Sequence, residues 1–157
     1  MILNYREAAP IDINVVTDLL FKLYNDEGQS PDLTWDELFA ENEQIFMDEN
    51  HEFFLALEGN KSVGIGHGSL RYEYVNGAND GTKGYLEAIY VLPEYRRKGV
   101  AAELAKCVEQ WAASKGCCEI ASDCLIDNID SYHFHTKIGF AETERCIFFL
   151  KEIEKNV

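Results

Sequence analysis

Apolar and polar positions follow two different rhythms along the chain, and the switches between them mark its elements. Leu3–Glu7 reads as a first strand. Pro10 and Asp12 open a helical pattern in which Val15, Val16, Leu19, Leu20 and Leu23 recur along one face. Gly28-Gln-Ser-Pro31 breaks it, and a second helix is expected from about Leu33 to Met47, with Thr34 as cap and Glu37 three residues on. Phe53–Leu57 and Val63–Tyr74 read as a hairpin turning at Gly59-Asn60. Gly64, Gly66 and Gly68 fall on one face of its second strand, which calls for a closely packed neighbour. After the polar stretch Val75–Lys83 come a nearly all-apolar strand, Gly84–Leu92, and a helix from about Val100 to Lys115 carrying Leu104, Val108 and Trp111. A strand from Cys117 to Cys124, a helix from about Asn128 to Ile138 and a last strand, Ala141–Leu150, complete the pattern. Strands mixed with helices in this order predict an α/β (α+β) fold, with helices on both faces of a mixed sheet. With 157 residues and no repeat or linker, the chain is expected to form one domain, 1–157.

Charge sharpens the picture. The net charge is −14, and residues 1–60 hold 14 acids against two bases, Arg6 and Lys22. Such a surface keeps a protein in solution, and it also attracts polycations; nucleic acid and anionic membranes are disfavoured as partners. No apolar stretch is long enough to span a bilayer and the first residues do not read as a signal peptide, so the expected compartment is cytoplasmic. The five cysteines (107, 117, 118, 124 and 146) lack metal-ligand spacing and read as reduced thiols, with Cys117 and Cys118 pointing to opposite faces of a strand. His133 and His135 would face two directions on a helix, so no metal is expected.

Three groups of residues carry chemistry. The first is Arg96-Arg-Lys-Gly-Val-Ala101, placed after a buried strand and before an amphipathic helix. A pyrophosphate needs converging main-chain N–H donors and gains from a helix start. Gly99 lets the backbone approach, Val100 and Ala101 open the helix, and Arg96, Arg97 and Lys98 supply cations. The second is Asn128-x-x-Ser131-x-x-x-His135-x-x-x-Gly139-Phe140. The third is a pair of carboxylates near strand ends, Glu87 within an apolar strand and Asp123 after Ala121-Ser122. An acid in such a place needs a partner, and a substrate amine is one candidate.

The strand, the basic turn and the helix together resemble the acetyl-CoA site of the GNAT superfamily of N-acetyltransferases, whose signature is Arg/Gln-x-x-Gly-x-Gly/Ala. The resemblance implies a GNAT-like, mostly antiparallel sheet and acetyl-CoA as cofactor. It also implies that pantetheine lies along the end of the Ala88–Val91 strand, at the main chain of Ile89 and Val91. In the second motif the superfamily has Asn-x-x-Ala-x-x-x-Tyr-x-x-x-Gly-Phe. The Asn, here Asn128, contacts the cofactor, and the Tyr can protonate the leaving thiolate. His135 stands at the Tyr position; imidazole can also donate a proton, while Tyr132 and His133 are nearby substitutes. The expected reaction is direct attack of an amine on the thioester. Glu87 and Asp123 would hold the ammonium and take its proton, and main-chain N–H groups near Val91 would polarise the carbonyl.

Four strings narrow the resemblance: Arg71-Tyr-Glu-Tyr-Val-Asn-Gly77, Leu86-Glu-Ala-Ile-Tyr-Val-Leu-Pro93, Ala121-Ser-Asp123, and Gly139-Phe-Ala-Glu-Thr-Glu-Arg-Cys-Ile-Phe-Phe149. Together they look like the aminoglycoside 6′-N-acetyltransferases. That family pattern places Glu87 and Asp123 beside the acceptor amine and Tyr74 near the acceptor cleft, with Trp35 a candidate wall. The acidic first 60 residues suit such a cationic small-molecule amine, but they suit a polyamine or a lysine-bearing peptide too. A non-catalytic acyl-CoA-binding regulator is the alternative of another class. The resemblance further implies a homodimer formed through C-terminal strands, and the apolar run Cys146–Leu150 fits that role or a core strand.

Overall fold

The computed structural model describes residues 1–26, 32–73, 75, 77–79 and 81–155. The strands are β1 (Leu3–Glu7), β2 (His51–Glu58), β3 (Lys61–Arg71), β4 (Lys83–Val91) and β5 (Ile120–Ser122). The helices are α1 (Ile13–Asp26), α2 (Trp35–Phe46), α3 (Val100–Ser114) and α4 (Ile129–Lys137). They fall into two units, Met1–Asp123 and Cys124–Val157.

In the first unit the sheet order is β1-β2-β3-β4-β5; the first three pairings are antiparallel and β4–β5 is parallel. The hairpin between β2 and β3 turns at Gly59-Asn60 as expected, with Glu58 opposite Lys61. The ladder between β3 and β4 slips once. His67 pairs with Ala88 and Gly68 with Leu86, so Glu87 is the extra residue of a bulge. β4 pairs with β5 over Gly84–Leu86, and among the described residues Glu87–Val91 have no strand partner on that side. β5 is much shorter than the Cys117–Cys124 strand expected from sequence. Cys117 and Cys118 lie in the turn after α3 and not on a strand.

Helices cover both faces. Side chains added at Gly64 or Gly66 would meet Leu104, and at Gly68 they would meet Val108 and Trp111, so the neighbour demanded by the glycine stripe is α3. Residues between the glycines point the other way. His67 pairs with Phe53, whose ring meets Phe46 of α2; Tyr90, opposite Ile65, bonds Asp26 at the end of α1. Between α1 and α2, Asn42 Nδ2 donates to Thr17 Oγ1 at 3.0 Å, and both residues are fully buried. The start of α2 is the capping box read from sequence: Thr34 accepts from the Glu37 N–H and Glu37 accepts from the Thr34 N–H. The break at Gly28–Pro31 lies outside the described residues.

In the second unit α4 starts at Asn128 and ends where the Phe140 N–H bonds the His135 carbonyl. The last strand expected from sequence, Ala141–Leu150, is absent: residues 141–155 carry neither helix nor strand. Ile147, Phe148, Phe149 and Leu150 are 78–98% exposed. A strand needs a ladder partner, and an apolar run alone does not supply one.

Candidate active site

The turn after β4 is assembled from its own side chains. Arg96 Nε donates to the Val91 carbonyl at 2.8 Å, its guanidinium lies 3.9 Å from Asp26, and Tyr90 also bonds Asp26. Arg96 therefore ties the end of β4 to the end of α1. Lys98 Nζ donates to the Glu94 carbonyl at 2.8 Å, while Arg97 holds a left-handed backbone at φ 59°. Gly99, at φ 81°, is the N-cap of α3, in a conformation that favours glycine, and nothing lies within 4 Å of where its Cβ would be. Without a capping side chain, the first-turn N–H groups of Val100 and Ala101 stay directed out of the helix start. Val100 is buried beneath them and Ala101 is small. A helix start of this kind, a close approach at Gly99 and three cations fit a pyrophosphate. Beside it, Ile89 and Val91 lie on the stretch of β4 beyond Leu86 that no strand of the described residues pairs on the β5 side, which offers main-chain groups to an extended ligand.

The carboxylates sit in one network. Ser69 Oγ donates to Glu87 at 2.5 Å, and Arg71 clasps the same carboxylate with Nη2 at 2.9 and 3.1 Å and Nε at 3.3 Å. The Arg71 guanidinium lies 3.4 Å above the Tyr85 ring, and the Tyr85 hydroxyl donates to Asp123. Burial, then the bond to Asp123, push the Tyr85 phenol above its ordinary pKa. Glu87 and Asp123 are thus joined through Arg71 and Tyr85. The sequence argument held that an acid placed like Glu87 needs a partner, and within the protein Arg71 and Ser69 are such partners.

In the second unit, Asn128 Oδ1 caps α4 by accepting the Ser131 N–H at 3.1 Å. His135 Nδ1 lies 2.7 Å from the Ser131 carbonyl and its ring meets Phe134 and Phe140 edge-on. A carbonyl can only accept, so Nδ1 carries the proton, and Nε2 is a donor only in the imidazolium form. Tyr74 lies outside the described residues. Trp35 donates to Asp18 at 2.8 Å and stacks on Phe39, which fastens α2 to α1. Among the described residues no group of three His, Cys, Asp or Glu could hold a metal ion, and no helix is long and apolar enough to cross a membrane.

Sequence reasoning assigned no role to Ser69, Arg71, Tyr85 or Asp26. The available signal was period two. Positions 65, 67, 69 and 71 alternate with the glycines, so Ser69 and Arg71 had to share the face away from α3. The bulge that brings Glu87 to them had no such signal.

The comparisons agree with this geometry. The model of the acetyltransferase (GNAT) family matches residues 17–140. An aminoglycoside N(6′)-acetyltransferase type 1 from Acinetobacter haemolyticus is 35% identical over 152 residues, covering 97% of this chain and 100% of the relative. One from Salmonella typhimurium is 39% identical over 112 residues, or 71% of this chain and 77% of the relative. The solved structure of AAC(6′)-Iy with the bisubstrate analogue CoA-S-monomethyl-acetylneamine superposes with a TM-score of 0.88 at 32% identity, over 98% of this chain and 100% of that one. By sequence and by fold alike, this chain belongs to the acetyltransferase (GNAT) family.

Proposed function

We propose that this protein is an acetyl-CoA-dependent aminoglycoside 6′-N-acetyltransferase, with residues 1–157 acting as one catalytic domain. The observation that carries the reading is similarity, at 35% identity, over the whole length of an enzyme named for that acceptor position. The network of Glu87 and Asp123 supports it, because an acceptor ammonium must be held and must lose a proton before its nitrogen can attack.

In this reading the first-turn N–H groups of α3, with Arg96, Arg97, Lys98 and Gly99, bind the pyrophosphate, and Ile89, Val91 and Asn128 position the rest of the cofactor. Bound acetyl-CoA supplies an acetyl thioester, whose C–S bond is exchanged for a C–N bond to the acceptor, with coenzyme A leaving as the thiol. Glu87 and Asp123 hold the ammonium and pass one of its protons to water before attack and a second as the C–N bond forms, and water restores the one that His135 gives to sulfur. Val91 N–H polarises the reacting carbonyl, and His135 as imidazolium returns a proton to the departing sulfur. Tyr74 borders the acceptor.

The reaction belongs in the cytoplasm, where acetyl-CoA is made and where five free cysteines stay reduced. The protein acts as a homodimer, because the bare apolar run Ile147–Leu150 needs a partner and a second copy supplies one. Sedimentation at micromolar concentration is expected to give twice the monomer mass, and a monomer alone would defeat the dimer.

The deciding assay follows free thiol release from acetyl-CoA with kanamycin, tobramycin, spermidine and a lysine peptide. Release with the aminoglycosides alone, and modification at the 6′ nitrogen by NMR, is the expected result. Release with spermidine or peptide only would keep the chemistry and discard the acceptor. Acetyl-CoA binding without release would turn the reading toward a regulator.

A further inference from the structure

The proposed acceptor site already holds a cation. Arg71 ends β3, and its guanidinium touches both oxygens of Glu87 while lying 3.4 Å above the Tyr85 ring. Ser69 closes the third side, donating to the same Glu87 oxygen that takes Arg71 Nε. A carboxylate, an aromatic face and a hydroxyl are the three things an alkylammonium seeks. Here the chain's own arginine fills their focus. Its side chain is 41% exposed, so water reaches it where it sits.

We propose that Ser69, Tyr85 and Glu87 form a cation seat that Arg71 fills in the free protein and that an ammonium of the acceptor takes in its place. This rests on the reading that the acceptor is an amine approaching Glu87. Arg71 is then a specificity-determining residue: an acceptor must first displace it. A partly exposed ion pair and a partly exposed cation–π contact are weak enough for a ligand held by further charges to overcome. A singly charged amine has little else to hold it and is turned away. The long Arg71 stem lets the guanidinium swing out while β3 stays paired.

The alternative is a fixed support, in which Arg71 never leaves and simply holds Glu87 in position. The two differ in sign. Emptying the seat strengthens amine binding, whereas removing a support weakens it.

The test compares wild type with Arg71→Gln and Arg71→Lys. Ethylammonium is the first probe, titrated by NMR while the Tyr85 ring and Glu87 side-chain signals are followed. Arg71→Gln is expected to bind it about fivefold or more tightly than wild type, the factor that losing one weak ion pair and one ring contact allows. Arg71→Lys is expected to lie near wild type, because a lysine refills the seat. The second readout is the KM for kanamycin, expected to fall several-fold in Arg71→Gln.

Equal or weaker ethylammonium binding in Arg71→Gln would overturn the seat, and so would a raised kanamycin KM in that variant. If ethylammonium binds more tightly while no protein acetylates kanamycin, the seat stands and the aminoglycoside reading falls. Should Arg71→Gln fail to fold, the Arg71→Met variant keeps the question open to decision: it keeps an unbranched stem without the charge, so it empties the seat and should tighten ethylammonium, and unchanged binding there would overturn the proposal.

Discussion

The two faces of β3 and β4 are built from opposite materials. Toward α3 they present glycines, at 64, 66, 68 and 84, against Leu104, Val108, Trp111 and Ala112. Away from α3 they present His67, which bonds His51, and Ser69, Arg71, Tyr85 and Glu87, joined by hydrogen bonds, an ion pair and a ring contact. The first face is solved by volume: small residues let a helix sit close to the sheet. The second is solved by partners, since each polar group there is satisfied by another. A face fixed by volume breaks when an atom is added. A face fixed by partners breaks when an atom is exchanged.

The largest effect should come from exchange. Glu87→Gln and Asp123→Asn keep shape and lose charge. Each is expected to lower kcat/KM for kanamycin by about 100- to 1,000-fold, or about 3–4 kcal/mol of transition-state stabilisation, while acetyl-CoA affinity is retained. Steady-state thiol release and cofactor titration check both halves. Unchanged turnover in both variants would remove these acids from the mechanism.

Addition comes next. A Cβ at Gly84 would lie 2.5 Å from the Ala112 Cβ, which is anchored to its helix and cannot turn aside. Gly84→Ala is expected to cost about 2–3 kcal/mol, lowering Tm by about 6–10 °C. Gly66→Ala, with its nearest neighbour the Leu104 Cβ at 3.3 Å, should cost clearly less. Equal losses in a thermal melt would mean that the α3 face is not limited by volume.

How much of each face was legible follows from the same contrast. The glycine stripe could be read because period two is local and needs no knowledge of the partner; α3 then filled it with Leu104, Val108 and Trp111 as the helical spacing indicated. The capping box at Thr34 and Glu37 was equally local. Glu87 could be picked out as a lone acid in an apolar strand, but its partners could not. Arg71 and Ser69 reach it only because the ladder slips between His67 and Gly68, and a slip of one residue leaves no mark in hydrophobic pattern. Tyr85 and Asp123 are 38 residues apart in sequence and meet because β4 and β5 are parallel. The strand expected at Ala141–Leu150 failed for a related reason: apolar content says that a segment needs covering, not what covers it.

Acid should separate the faces without any mutation. His67 is buried beside His51, with their ring nitrogens 3.0 Å apart and the Phe53 ring against it; Asp48 lies 3.7 Å from the far nitrogen of His51. Burial, then the neighbouring His51, hold the His67 pKa down at about 3, against 6.5 for the free side chain. Between those values the unfolded chain binds a proton that the folded chain refuses, so stability rises with pH across this window and falls as pH is lowered from about 6.5. The slope is about 1.4 kcal/mol per pH unit, which amounts to about 2 kcal/mol by pH 5. Urea melts at pH 7.5, 6 and 5 measure it. His67→Asn should flatten the slope, and a variant with the wild-type slope would assign the loss to other groups.

The smallest effect is the most discriminating. Tyr85→Phe removes one hydroxyl and keeps the ring beneath Arg71, so it cuts the network between its two carboxylates and leaves each end otherwise intact. Asp123 is exposed and can take water in place of the phenol, so the expected stability loss is about 1 kcal/mol, a Tm shift of about 2–4 °C. The consequence for activity depends on what the bond does. If the phenol only fills space, kcat and KM move together with stability and recover on cooling. If it aims Asp123 at the acceptor, the freed carboxylate swings between positions, kcat falls several-fold at every temperature, and acetyl-CoA binding is untouched because Tyr85 lies near the start of β4 and the turn at Gly99 follows its far end. The second pattern is the expected one. A hydroxyl that merely satisfied a buried ring would have no need to reach an exposed acid just past the end of the next strand.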